Sequence, residues 1–299
     1  MTNGPSNADG LLGAGAPGQL LRGRVALVTG GGRGIGRAVA RALAEQGARL
    51  VLNDLGCARD GSGRDPKVAD DAVHELREAG FEAVASHHDV TAAREVAEMV
   101  TLAGTYGEPI DLLVNSAGIL RNSSLLDLAE DDFTAVLRTD LIGTLLVTQA
   151  VAAGLKQARR RGNIVNMTSV SGLLGNVGQA NESAAKAGVY GLTRTSAIEL
   201  QKFGIAVNAV AAIARTRLTE DLPMFEKVRG TLEPEHVAPA VVFLASELAD
   251  GLSGVVLSVA GGRLATISLV ESQGRLKDEA DGRWTPQEIA EHFGSIARR

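Results

Sequence analysis

Arg24-Val-Ala-Leu-Val-Thr-Gly-Gly-Gly-Arg-Gly-Ile-Gly36 is the stretch that decides the fold. Its first six residues read as a short buried strand, and Gly34 to Gln46 carries helical spacing that stops at Gly47. Between strand and helix stand Gly30, Arg33, Gly34, Ile35 and Gly36. Glycine at such a turn lets backbone approach a pyrophosphate, and the helix that follows offers free N–H groups and the positive end of its dipole. A plain flexible turn is the alternative in a chain with 36 glycines. The residues beyond it decide: Leu50-Val-Leu-Asn53 reads as a second strand, and Asp54 ends it, about 20 residues after the glycines. A carboxylate there can accept the ribose hydroxyls of an adenosine and repels a 2′-phosphate, so NAD is expected over NADP. Arg33 argues mildly the other way, because a guanidinium can meet that phosphate. Asp54 could otherwise be a turn-starting acid before Gly56.

Outward from this point the alternation continues. Helical stretches are expected at Asp70–Ala79, Ala92–Ala103, Thr134–Arg160, Ala180–Lys202 and Pro234–Leu248. Strands are expected at Ala83–Ser86, Ile110–Val114, Asn163–Met167, Ile205–Val210 and Val255–Val259, the last cut off by Gly261-Gly262. Such alternation predicts an α/β Rossmann fold: one domain, a doubly wound seven-stranded parallel sheet with helices on both faces. Residues 1–20 read as a disordered tail, 21–299 as the domain, and 264–299 as its C-terminal extension, where Thr285 and Pro286 look like the N-cap and first residue of a helix. Asp89-Val90 follows the third strand and is expected to cap the adenine side, a loop acid or helix N-cap being the alternative. Arg159, Arg160 and Arg161 are expected as a solvated helix end.

Composition narrows the function. Of 299 residues, 45% are hydrophobic and only 3% aromatic, so the core is aliphatic. A net charge of -5 disfavours a nucleic-acid partner. The single cysteine, Cys57, rules out an internal disulfide and suits a reducing, cytoplasmic setting. No apolar run is read as long enough to span a bilayer, and no metal site is expected from His87-His88 beside Asp89.

Thr29-Gly-x-x-x-Gly-x-Gly36, Asp89-Val90, Asn115-Ser-Ala-Gly118, and Ser169 followed by Glu182 and Lys186 together resemble the short-chain dehydrogenase/reductase family over about Gly23 to Leu264. The resemblance implies that Asn115, Ala117, Gly118, Lys186 and Thr216 face the dinucleotide, and that the chain is a homodimer or homotetramer. Asn53-Asp-Leu-Gly56, Gly118-Ile-Leu-Arg-Asn122, Gly175-Asn-Val-Gly-Gln-Ala-Asn181 and the Trp284 segment look, more narrowly, like the dehydrogenase domains of peroxisomal multifunctional enzymes and their bacterial relatives. That likeness implies a small-molecule substrate of acyl-CoA or polycyclic type.

The catalytic pattern departs from the family. Serine, tyrosine and lysine stand in its active site at the spacing of Ser169, Glu182 and Lys186, so a glutamate occupies the tyrosine position. The position of a supporting asparagine is read as Asp140, and the usual Pro-Gly near the nicotinamide as Ala212-Ile213. Glu182 and Lys186 are spaced i, i+4, in the favourable order for an ion pair. Such a pair would keep Glu182 a carboxylate and a poor acid, whereas burial and Asp140 would push it toward neutrality. Three functions stay open: an oxidoreductase on a secondary alcohol or ketone, a lyase, dehydratase or cyclase using Glu182 as general base with NAD retained, and an inactive NAD-binding partner subunit.

Overall fold

The computed structural model describes residues 19–219 and 232–298. The expected tail at 1–20 therefore lies almost wholly outside the described residues. The chain divides into two compact units at Thr266–Ile267.

The larger unit begins with β1 (Val25–Thr29), α1 (Gly34–Glu45), β2 (Arg49–Asn53), α2 (Lys67–Glu78), β3 (Ala83–Ser86), α3 (Ala93–Thr101) and β4 (Leu112–Asn115). Then follow α4 (Glu130–Val136), a π-helical turn (Leu137–Gly143), α5 (Thr144–Ala158), β5 (Gly162–Thr168), α6 (Ser171–Leu174) and α7 (Ala180–Leu200). β6 (Ile205–Ile213), α8 (Ala238–Ala245), β7 (Val256–Ala260) and β8 (Arg263–Thr266) complete it. The strands form one sheet in the order β3-β2-β1-β4-β5-β6-β7-β8. The reversal between β1 and β4 opens the crevice where such sheets bind ligands, outside the carboxyl ends of the strands.

β1 shows why the sheet needs helices on both faces. All five of its residues are buried. Ala26 and Val28 join the core that includes α1, α2 and α8, whereas Val25 and Leu27 join the core that includes α3 and α5. A strand period of two thus delivers apolar side chains to two separate layers.

Four differences from the sequence reading have physical causes. The sheet has an eighth strand, antiparallel, with Ala260 opposite Arg263 across Gly261-Gly262. Two glycines between pairing residues make a hairpin, and Gly261 has φ 56°. β6 continues past Val210 to pair Ala212 with Val259 and Ile213 with Ala260. With alanine where the family carries proline, the ladder loses no donor and the strand runs on. The long helix expected at Thr134–Arg160 starts at Glu130 and passes through the π turn rather than running uniformly. It is also long and apolar enough to cross a membrane by length and composition, contrary to the reading of the sequence. Val147, Val151 and Leu155 are instead buried in the sheet's core. At its end Arg159 and Arg161 are exposed, as expected of a solvated terminus; Arg160 pairs with Glu108 and lies 3.4 Å from buried Asp111, and Arg161 lies 3.2 Å from Asp250.

The smaller unit holds α9 (Pro286–Ile296). Thr285 and Glu288 form the expected start as a reciprocal capping box. Lys277 Nζ reaches Glu288 at 2.7 Å and lies 5.7 Å from the Trp284 ring centre, while Trp284 meets His292 edge-on.

Candidate active site

The glycine turn is a cradle in the literal sense that a Cβ would fill it. At Gly36 a Cβ would lie 2.1 Å from Gly30 O, and at Gly30, with φ +63°, it would lie 2.8 Å from Ala117 Cα. β1 and β4 are tied just above it, where Thr29 Oγ1 accepts from the N–H groups of Ser116 (3.1 Å) and Ala117 (3.2 Å). α1 begins at Gly34, and the residue before it, Arg33, makes no side-chain capping bond. The N–H groups of the first turn are therefore left for a ligand.

Asp54 is buried beside this turn. Its Oδ2 accepts from Gly32 N–H at 3.0 Å and its Oδ1 from Gly56 N–H at 2.8 Å. Arg33 leans toward it: Nη2 lies 3.7 Å from Asp54 Oδ1 and donates to Cys57 O at 2.8 Å, leaving Nε buried and unpartnered. Arg217, which sequence reading missed, joins the cluster; burial and then Arg33's charge hold its guanidinium below the ordinary value, and Cys57 and Asp54 counter them. Burial first, and then Asp54's charge, push the Cys57 thiol up. This end of the cleft thus carries one carboxylate and two guanidiniums.

A cleft of about 350 Å³ runs from here along the sheet edge. Among the expected cofactor contacts it is lined by Gly30, Arg33, Gly34, Ile35, Gly36, Asp54, Asp89, Val90, Ala117, Gly118 and Thr216. Thr216 closes it over the turn, its Cγ2 being 3.3 Å from a Cβ built on Gly34. Asp89 is placed by an Asx turn, Oδ1 accepting from Thr91 N–H at 2.8 Å, and by Arg64 at 3.4 Å. Asn115 is not in the lining. Its side chain donates to Thr148 Oγ1 (3.0 Å) and Asn166 Oδ1 (2.9 Å), joining β4 to α5 and β5.

The four expected catalytic residues lie beyond that lining, around the N-terminal half of α7. Thr168 Oγ1 donates to Lys186 O at 2.9 Å and so sets the end of β5 against α7. Next in sequence, Ser169 Oγ accepts from Ser171 N–H (3.2 Å) and Ser171 Oγ (2.8 Å). Its own hydroxyl proton remains for a third partner. Ser171 is a second residue that sequence reading missed. The first turn of α7 is stitched to the loop after β4: Asn181 Nδ2 donates to Arg121 O at 2.8 Å, and Ser123 N–H to Gly178 O at 2.9 Å. The two segments singled out for the narrower resemblance, 118–122 and 175–181, are therefore neighbours.

The expected pairing of Glu182 with Lys186 does not form. Lys186 Nζ lies 2.9 Å from Asp140 Oδ2 instead, and Asp140 Oδ1 accepts from Ile119 N–H at 3.0 Å. Asp140 sits on the π turn, which packs against α7. Burial pulls the Lys186 ammonium down, but the charge and hydrogen bond of Asp140 and then the charge of Glu182 more than offset it, and the net direction is up. Glu182 is also held above the ordinary carboxyl value, by burial first; Lys186 opposes this and Asp140 adds to it. Ile119 lines the cleft and binds Asp140, so a single residue links the two parts of the site.

A family model for short chain dehydrogenases matches residues 24–226. The chain is 38% identical over 274 residues to peroxisomal multifunctional enzyme type 2 of Mus musculus, covering 92% of this chain and 36% of that one. It thus spans about a third of the mouse enzyme's length. It is 40% identical over 259 residues to the (3R)-3-hydroxyacyl-CoA dehydrogenase of Canis lupus familiaris, covering 81% of this chain and 96% of that one. The crystal structure of a short chain dehydrogenase from Mycobacterium avium superposes with a TM-score of 0.80 at 36% identity, covering 93% and 95% of the two chains. With a glycine cradle, a buried acid after β2, a serine just past β5 and a lysine in the N-terminal half of α7, this chain belongs to the short-chain dehydrogenase/reductase family of NAD(P)-dependent oxidoreductases.

Proposed function

We propose that the chain oxidises or reduces a secondary alcohol/ketone pair on an acyl-CoA-like or polycyclic substrate, with NAD preferred and with Glu182 carrying the proton. The observation that carries this reading is Glu182 itself: a half-buried carboxyl, set free of Lys186 and held above its ordinary value, beside a serine with a hydroxyl proton to spare. The names of the mammalian relatives support the substrate class.

The residues present fit a dinucleotide. The cradle at Gly30 and Gly36 excludes any side chain, the start of α1 has no side-chain cap, and Arg33 keeps a buried unpartnered Nε. Gly34, Ile35 and Gly36 would hold the pyrophosphate, and Asp54 the adenosine ribose. Each Asp54 oxygen already accepts one backbone bond and has a second lone pair for a ribose hydroxyl. The bound nicotinamide supplies the hydride acceptor or donor. Ser169 orients the substrate oxygen. In the oxidation direction Glu182 takes the hydroxyl proton as the carbonyl forms; in reduction it returns that proton. Its raised affinity for the proton suits both directions better than a carboxyl at about 4.3.

One assay tests the reading. NADH formation from a (3R)-3-hydroxyacyl-CoA is expected for the natural chain, to fall about 10²- to 10⁴-fold in Glu182→Gln, the usual contribution of a positioned proton carrier, and to rise in Glu182→Tyr. NADH formation confined to the tyrosine variant would refute it. The same carboxyl favours a second reading, general-base chemistry beside a carbonyl. In that case Glu182→Gln abolishes substrate turnover while nucleotide absorbance stays constant throughout.

A further inference from the structure

We propose that Asp140 is a positioning residue: it captures the Lys186 ammonium and so leaves Glu182 as the carboxyl of this site that exchanges protons. This rests on the reading above in taking Glu182 as the proton carrier, and not on the identity of the substrate.

On α7 alone, Glu182 and Lys186 are one turn apart in the order that favours their pairing. Pairing would fix Glu182 as a carboxylate across the working pH range. It is prevented because a better-placed partner is already there. Both oxygens of Asp140 are committed, one to Ile119 N–H at 3.0 Å and one to Lys186 Nζ at 2.9 Å. The residue is almost fully buried, and the lysine side chain is 13% exposed, so the contact is little weakened by water. Gly118 makes room for it: a Cβ there would sit 2.9 Å from Asp140 Oδ2. The π turn supplies the residue, and Gly118 supplies the space.

Other charges packed near α7 do not replace this arrangement. α6, β5 and β6 contain no ionisable side chain. On α4 the acids are Glu130, Asp131 and Asp132, and Asp132 is paired with Arg121 at 2.9 Å. Arg121 also donates to Asp60 O at 2.6 Å. Arg138, on the π turn, lines the nucleotide cleft. On α5 the ionisable side chain is Lys156, which lies against Phe203, as does Lys202 after α7. Among the described residues, Lys186 and Asp140 are the charges that act on Glu182. An uncharged residue at 140 would release the ammonium toward Glu182 and convert a proton carrier into a fixed carboxylate.

The test reads the carboxyl directly, on the full chain without nucleotide. Glutamate labelled at its carboxyl carbon is followed by ¹³C NMR across pH, with Glu182→Gln assigning the signal. In Asp140→Asn, which keeps an acceptor for Ile119 N–H, the Glu182 midpoint is expected to fall by about 1–3 on the pH scale, the effect of an opposite charge brought within contact. Asp140→Ser is expected to give the same direction and serves if the asparagine variant does not fold. The acid limb of the pH–rate profile should move down in parallel. A Glu182 midpoint unchanged in a folded Asp140 variant overturns the proposal, whatever the substrate proves to be. A midpoint that falls while no hydroxyacyl-CoA is turned over supports it and refutes only the substrate reading.

Discussion

Removing Asp140 outright should be among the costliest single changes in this chain. Asp140→Ala deletes both the counter-ion of Lys186, 2.9 Å away, and the acceptor for the buried Ile119 N–H at 3.0 Å. A buried charge that loses its partner typically costs about 3–5 kcal/mol. Glu182 can turn toward the stranded ammonium and recover part of this, so we expect a loss near the lower end, about 3 kcal/mol. In a sheet domain of this size that corresponds to a fall in Tm of about 6–12 °C. The decisive quantity is coupling. Lys186→Met removes the charge that needs a partner, so Asp140→Ala in that background should cost much less, with a coupling energy of about 1–3 kcal/mol from urea unfolding of the four proteins. Additive losses, or a loss under about 1 kcal/mol for Asp140→Ala alone, would refute the ion pair as the organiser of this site.

Three further outcomes follow from the same structure. The native Glu182 carboxyl binds its proton more tightly than an unfolded one, so its ionisation lowers stability as pH rises through the native midpoint; Glu182→Gln should raise Tm by a few degrees at pH 8, with the gain vanishing at pH 4, and equal curves at both would contradict this. Gly36→Ala places a Cβ 2.1 Å from Gly30 O and should cost about 1–3 kcal/mol and abolish NADH binding by fluorescence titration, because the turn must open to accept it. In the smaller unit Lys277 and the Thr285 cap hold the Glu288 carboxyl down at about 2; ¹³C NMR should find it there and return it toward the ordinary carboxyl range in Lys277→Met.

Where the sequence was legible, a local rule and a tertiary one agreed. Val25–Thr29, the glycines and Asp54 could be read because a parallel strand, a sharp turn and a following helix each impose their own residue types. The start of α9 was equally plain in Thr285 and Pro286, since a helix cap is a local object; the structure adds Glu288 as the other half of a capping box. Asp140 was legible as a position but not as a partner. Its contact with Lys186 is made from a π turn inside a helix whose apolar pattern runs through unbroken, and the i, i+4 rule pointed to the wrong carboxylate. Arg217 and Ser171 carried no motif; folding brings Arg217 to Asp54 across the chain, whereas Ser171 meets Ser169 through a local turn two residues on. β8 did carry a signal, the paired glycines 261 and 262, which marks a hairpin as well as a strand end.

Calorimetric titration of the folded chain with NADH measures directly whether a dinucleotide seats between the glycine cradle and Asp54. One saturable site per chain, weakened at least tenfold by Asp54→Ala and lost in Gly36→Ala, is the predicted result. No saturable heat with either NADH or NADPH at millimolar concentration would contradict it.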